Sequence, residues 1–225
     1  MTRVLVLTAV DVEARGLARH LGLARVRSSA WPHFGAGALE IACVGLRASQ
    51  LQARAEALRP FDLVISAGAC GALAPELTVG ELVVPELVVD RAGQRWPTAR
   101  MRRLPSAGSL LSVRDVIETP AEKSRLWLET GARAVDMESA AILTWATERG
   151  AVGAVIRAVS DSADRGIPAG VAASVADDGR VSPLRAVSAA LARATTISGL
   201  MELRAGTEAA LKSVAGALAM LARDA

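Results

Sequence analysis

Val4-Leu5-Val6-Leu7, followed by Glu13–Leu21 with Leu17 and Leu21 on one side and Arg15 and Arg19 on the other, decides the fold class. A continuous run of valine and leucine marks a strand buried on both faces, as in parallel sheets covered by helices, and the spacing after it is helical. Similar strand-like runs recur at Leu39–Val44, Leu63–Ala67, Leu82–Val89 and Val152–Val159, with helical patterns at Leu46–Leu58 and Ser139–Arg149 between them. Alternation of this kind predicts an α/β sheet. Glycines and prolines punctuate Trp31–Gly37 and Gly68–Gly80. They mark turns at strand ends, where such folds place their sites.

A chain of 225 residues is long enough for one well-buried domain, so a single domain over 1–225 is expected. Hydrophobic residues at 52%, charged residues at 22% and a mean hydropathy of +0.33 exclude a disordered chain. Lys and Arg total 26 against 23 Asp and Glu, so the pI of about 9.5 reflects a thin margin of charge. With aromatics at 3% and no tyrosine, the stacking platforms of single-strand binders are missing, and no nucleic-acid partner is expected. Cys43 and Cys70 lack CxxC spacing, which leaves no disulfide framework and no zinc site. His20 and His33 are far apart, so no metal and no cofactor is expected. Met1-Thr2-Arg3 runs straight into the first apolar stretch without a signal-peptide pattern, and Leu63–Pro75 falls short of the ~18 apolar residues of a membrane span. A cytoplasmic protein is the expectation.

Between Ala92 and Gly108 the chain shows little periodicity, and Arg91, Arg95, Arg100, Arg102 and Arg103 gather there with no acid between Asp90 and Asp115. The segment reads as a mobile basic loop, either solvated or in contact with phosphate or an anionic membrane surface. Beyond Asp161 the chain turns Ala- and Leu-rich, and Leu211, Val214, Leu218 and Leu221 share one helical face. Residues 181–225 are therefore read as a helical extension packed on the domain.

Three carboxylates stand at the ends of apolar strands or the starts of helices: Glu13, Glu138 and Asp161. There a carboxylate is half-buried near helix N-termini, and its surroundings set its orientation and proton affinity. Taken singly, each has a plain structural reading. Glu13 fits a first-turn acid, Asp136 or Glu138 a cap for the helix at Ser139, and Asp161 a turn former.

The words around these acids form an ordered set. Thr8-Ala9-Val10-Asp11-Val12-Glu13, Ser66-Ala67-Gly68-Ala69-Cys70-Gly71-Ala72-Leu73 leading to Val79-Gly80-Glu81-Leu82-Val83-Val84, Val135-Asp136-Met137-Glu138-Ser139-Ala140-Ala141, and Arg157-Ala158-Val159-Ser160-Asp161 follow one another along the chain. From about Val4 to Asp164 the sequence resembles the superfamily of nucleoside phosphorylases and methylthioadenosine/adenosylhomocysteine nucleosidases. The resemblance implies one domain with a mixed β-sheet flanked by helices, and an enzyme that cleaves the N-glycosidic bond of a purine nucleoside. It implies that Asp161 is the acid at purine N7, oriented by Ser160, and that Glu138 grips the ribose hydroxyls with Met137 packed beneath the sugar. Glu13 is then the acid that directs the attacking water. Gly68, Ala69 and Gly71 would form a backbone wall close to the ribose or its nucleophile. The implied assembly is a homodimer.

Two departures bear on the nucleophile. Ser66 and Ala69 stand where the phosphorolytic members carry an arginine and a hydroxyl residue, and Ala9–Arg15 contains no glycine for a phosphate loop. Phosphate favours bidentate arginine, so hydrolysis is preferred to phosphorolysis, with Arg15, Arg47 and the Arg95–Arg103 loop as the cations available to the alternative. Thr119-Pro120-Ala121-Glu122-Lys123 lacks the aromatic residue that stacks on the base in many relatives.

The tail, with Ser162-Ala163-Asp164, Ile167-Pro168 and Asp177-Asp178-Gly179-Arg180-Val181, resembles the hopanoid-associated branch, whose implied substrate is adenosylhopane. A lipid-linked nucleoside needs an apolar groove and peripheral contact with a membrane, for which the tail and the basic loop are candidates; plain packing is the other reading. A catalytically idle nucleoside-binding protein is the remaining alternative, against which the presence of all three acids counts.

Overall fold

The computed structural model describes residues 2–167, 176–180 and 197–222. Strand β1 (Val4–Thr8) leads into helix α1 (Asp11–Leu21), which ends on Gly22 in the left-handed conformation. Two short antiparallel strands, β2 (Ala24–Arg25) and β3 (His33–Ala36), precede β4 (Leu39–Cys43) and the four-residue α2 (Leu51–Arg54). The long strand β5 (Leu63–Ala72) follows, then β6 (Leu82–Val83), β7 (Leu87–Asp90), β8 (Arg95–Pro97) and β9 (Ser109–Ser112). Helix α3 (Pro120–Thr130), β10 (Ala134–Asp136), α4 (Ser139–Glu148), β11 (Val152–Asp161) and α5 (Ile197–Ala222) complete the described elements.

These strands form one mixed sheet in the order β2-β3-β4-β1-β5-β10-β9-β7-β8, with β11 and β6 branching from it at β5. Strand β5 is the hub. Its first half pairs in parallel with β1 (Val4↔Leu63 to Leu7↔Ser66), its end pairs antiparallel with β10 (Val135↔Gly71), and β11 runs parallel to it throughout. The β5/β11 register places Arg157 opposite Gly68, then slips between Val159 and Asp161 so that Asp161 faces Gly71. The slip is a β-bulge, and such bulges re-aim side chains.

One face of the sheet is covered by α1 and α5. Leu211, Val214 and Leu218 are buried in a cluster with Val6, Leu17, Ile41, Ile65 and Ile156, and Leu221 packs at its edge. Residues 181–196 and 223–225 of the tail lie outside the described residues. No described helix is long and apolar enough to cross a membrane. On the other face α4 seats Ile142, Trp145 and Ala146 against Leu5, Leu7 and Val64.

Several expectations are corrected. Leu82–Val89 is two strands, because Pro85 lies between β6 and β7 and has no N–H for a ladder. Leu46–Leu58 is not one helix but α2 flanked by single turns, since Arg47 and Ala48 both adopt φ of 55° and interrupt it. The basic segment is tied down: β8 pairs with β7, Ala99 N–H donates to Gly153 O, and Met101 and Leu104 are buried in the main core. Its arginines Arg91 and Arg100 pair with Glu122 and Glu86. His33, read as part of a turn, is a buried residue of β3 between Ser29 and Glu40.

Candidate active site

The ends of β1, β5, β10 and β11 open onto a cavity of about 310 Å³. Of the residues singled out in the sequence, Glu13, Ala69, Gly71, Met137, Glu138, Ser160 and Asp161 line it, while Gly68 stands behind Glu13. The glycines make room for side chains. At Gly68 (φ 147°) a Cβ would collide with the Glu13 carboxylate and the Arg157 guanidinium, and at Gly71 it would lie 3.1 Å from Asp161 Oδ2.

Glu13 and Glu138 occupy one side. Glu13 sits in the first turn of α1, and its carboxylate curls back to accept from Ala9 N–H (3.0 Å), Val10 N–H (3.2 Å) and, across the sheet, Ala69 N–H (2.9 Å). Burial pushes its proton affinity up against the pull of nearby Arg157. Glu138 precedes α4 yet caps nothing with its side chain; Asp136 does the capping, accepting from Ser139 N–H and from Ser139 Oγ–H at 2.5 Å. Freed from that duty, Glu138 turns into the cavity and accepts from Arg47 N–H at 3.0 Å. Burial, together with the like charges of Asp136 and Glu13, pushes its pKa up to about 7 in spite of Arg157.

Arg157 is the shared cation of this side, and the sequence reading gave it no role. It is 1% exposed, lies 2.8 Å from Asp136 Oδ2 and 3.6 Å from Glu138 Oε2, and donates to Ser66 Oγ at 2.8 Å. Burial works against its charge, but Asp136, Glu138 and Glu13 together outweigh it. A charge in the middle of Ile156-Arg157-Ala158, inside a strand apolar on both faces, was the signal available in the sequence: such a group persists only with buried partners.

Asp161 occupies the other side. Its Oδ1 accepts from Ser160 Oγ–H (2.6 Å), the residue extruded by the bulge. Its Oδ2 accepts from Lys123 Nζ at 2.5 Å, and Lys123, fully buried in the first turns of α3, also donates to Ser162 O at 2.8 Å. Lys123 was quoted in the sequence only as part of a segment lacking an aromatic. Lys123 and Leu126, three apart, are the buried residues of α3, so the lysine holds a position on the inward stripe of the helix.

Cys70 also lines the cavity, its thiol pushed up by burial. Among the cations considered for phosphate, Arg47 reaches the wall, whereas Arg15 pairs with Asp11 on α1 and Arg95–Arg103 is absent from it. Among the described residues no group of His, Cys, Asp and Glu is arranged to hold a metal. Val113, Val116, Ile117, Ile167 and Leu203 give the remaining wall an apolar stretch. The arrangement thus presents two separately countered acidic centres across a space of small-molecule size.

The model of the Phosphorylase superfamily matches residues 98–195. No curated protein matches the sequence. In fold, the chain is similar to the 5′-methylthioadenosine/S-adenosylhomocysteine nucleosidase of Helicobacter pylori solved with butyl-thio-DADMe-Immucillin-A (TM-score 0.72, 16% identity, 100% of this chain and 99% of that one). It is similarly close to the nucleosidase of Neisseria meningitidis in complex with methylthio-immucillin-A (TM-score 0.69, 17% identity, 100% of both chains). The futalosine hydrolase of Helicobacter pylori matches at TM-score 0.70 and 15% identity over 100% of this chain and 98% of that one. This chain thus resembles the Phosphorylase superfamily in sequence over residues 98–195, and in fold it resembles the solved nucleosidase structures.

Proposed function

We propose that the protein hydrolyses the N-glycosidic bond of an adenine nucleoside. The observation that carries this reading is the placement of Glu13, Glu138 and Asp161 on one cavity, with the first two gathered around Arg157 and the third set apart with Lys123. Breaking the bond builds positive charge on the ribose and negative charge on the base. Glu138, a buried carboxylate, faces the ribose, binds its hydroxyls and offsets the oxocarbenium charge. Asp161, held by Ser160, hands a proton to purine N7. Glu13, fixed by three backbone N–H groups, takes the proton of the water that attacks C1′. Met137 packs under the sugar.

Water is preferred to phosphate because the arginine nearest the glycine segment, Arg157, is already engaged by Asp136, Glu138 and Ser66. A divalent anion would need a free cation, but the carboxylates have taken Arg157, and Arg47 on the cavity wall is engaged by Arg114 O and Asp177. The apolar wall of Val113, Val116, Ile117, Ile167 and Leu203 supports an apolar group at C5′, and with the tail resemblance it points to a lipid-linked adenosine such as adenosylhopane, taken from a membrane surface. We take the working unit to be a homodimer of one-domain chains.

The test is to incubate the protein with adenosine, methylthioadenosine and a hopanoid-linked adenosine, with and without phosphate, and to identify the base and sugar released. Adenine and free sugar in phosphate-free buffer are expected. A sugar 1-phosphate that rises with phosphate concentration would turn the reading to phosphorolysis.

A further inference from the structure

Resting on the hydrolytic reading of this cavity, we infer that Lys123 is the source of the proton that Asp161 delivers to the purine. The carboxylate of Asp161 is occupied on both oxygens by donors, Ser160 Oγ–H at 2.6 Å and Lys123 Nζ at 2.5 Å. A carboxylate held by two donors in this way has a proton to give only after receiving one. Ser160 cannot supply it, because its hydroxyl would be left as an alkoxide. Lys123 can. Its ammonium is completely buried against this carboxylate and the carbonyl of Ser162, so loss of one proton leaves a neutral amine with both neighbours still in contact. An apolar residue beside a neutral Asp161 would fill the same inward position of α3 without burying two charges, giving up only the hydrogen bond to Ser162 O.

The step balances. A proton moves from Nζ to Oδ2 and from the carboxyl to N7, while the electron pair of the C1′–N9 bond leaves with the base. Water adds its hydroxyl to C1′ and its proton to Glu13. Solvent in the cavity then removes that proton from Glu13 and returns one to Lys123 through Asp161, so that nucleoside and water become adenine and sugar with the protein unchanged. Lys123 acts through Asp161 and is a positioning and relay residue rather than one that touches the reacting atoms.

A leaving group that needs no proton separates this role from a structural one. Wild type, Lys123→Met, Lys123→Arg and Asp161→Asn are compared on a 5′-substituted adenosine and on 4-nitrophenyl ribofuranoside, whose phenolate departs unprotonated. Lys123→Met is expected to lower kcat on the adenosine by about 10²–10³-fold, with KM changed only a few-fold, and to keep nitrophenyl cleavage within about threefold of wild type. That retained cleavage also shows that the variant folds. Asp161→Asn should show the same selective loss, and Lys123→Arg should too, since a guanidinium keeps the charge but does not give up its proton. Equal loss on both substrates, unchanged adenosine cleavage in Lys123→Met, or recovery in Lys123→Arg each overturns the relay. If Asp161→Asn loses adenosine cleavage while Lys123→Met keeps it, the hydrolytic reading stands and the relay falls. Wild type that cleaves neither riboside takes both down.

Discussion

The two sides of the cavity neutralise their carboxylates in opposite ways. Around Glu13 and Glu138 three acids, with Asp136 the third, share the single guanidinium of Arg157, whereas Asp161 has Lys123 to itself. Burial, which the shared guanidinium only partly opposes, makes Glu13 and Glu138 hold protons more readily than free carboxylates do. Such groups suit a base and a charge-stabilising anion whose full effect appears when positive charge develops beside them. One-to-one pairing instead gives the Asp161 carboxylate an ammonium of its own, the contact on which the proposed relay rests. Under the proposed hydrolysis, burial and the sharing of cations would set the same residue type to different work.

The sharpest way to break the comparison is Arg157→Leu. Removing the shared cation leaves Asp136 and Glu138 buried without a counter-ion, and breaking such a network typically costs about 3–5 kcal/mol. Urea denaturation should show a loss of this size together with the disappearance of activity; a loss under about 1 kcal/mol would mean the acids do not depend on Arg157. Glu13→Gln comes next, with kcat expected to fall about 10²–10⁴-fold while adenine still binds, as calorimetry would show. Adenine binding lost along with turnover would deny the separation of the two sides.

Glu138→Gln sharpens the contrast through pH. A pKa raised from 4.5 to about 7 means that the folded protein binds the proton more tightly than the unfolded chain, so the contribution of Glu138 to stability is fully present below pH 4.5 and is lost as pH rises through about 7. Above pH 7 the ionised side chain carries a cost of roughly 2–4 kcal/mol. Glutamine removes that cost. The variant should therefore melt several degrees higher than wild type at pH 8, and the gap should close by pH 5. The smallest effect belongs to Gly71→Ala, whose Cβ would press on Asp161 Oδ2 at 3.1 Å. A few-fold drop in kcat with little change in Tm is expected, because backbone conformation at this position carries no positive φ. An effect as large as that of Gly68→Ala, where φ is 147° and the intruding Cβ meets Glu13, would mean that the Asp161 side has no more slack than the other.

Where the sequence was readable, local physics spoke without help from distant partners. Apolar runs of buried strands exposed β1, β4, β5 and β11, and the face shared by Leu211, Val214 and Leu218 exposed α5. The strand-end acids were legible as a pattern, and the bulge that frees Ser160 to meet Asp161 was not, because it depends on the register with β5. Lys123 went unnoticed for a similar reason: in Thr119-Pro120-Ala121-Glu122-Lys123 its neighbours are those of a solvated helix start, and its partner on β11 lies 38 positions later in the chain. The basic segment misled because alternation is invisible in a three-residue strand such as β8, while Met101 and Leu104 are too few to mark a core element. Arg47 and Ala48 broke an apparently helical stretch through backbone angles that no propensity of arginine or alanine foretells.

The turn at Asp177-Asp178-Gly179 carries one more consequence, for the timing of synthesis. Gly179 O accepts Asp11 N–H at 2.9 Å, and Asp177 O accepts Leu46 N–H at 3.1 Å and the hydroxyl of Ser49, 128 positions earlier in the chain. The loops that begin α1 and follow β4 therefore wait, half-fastened, until most of the polypeptide has left the ribosome. At roughly 5–20 residues per second that wait lasts about 6–26 seconds, during which β1, β4 and β5 can pair but the cavity lacks Arg157, Asp161 and this clasp. A nascent chain would own a sheet before it owned a site.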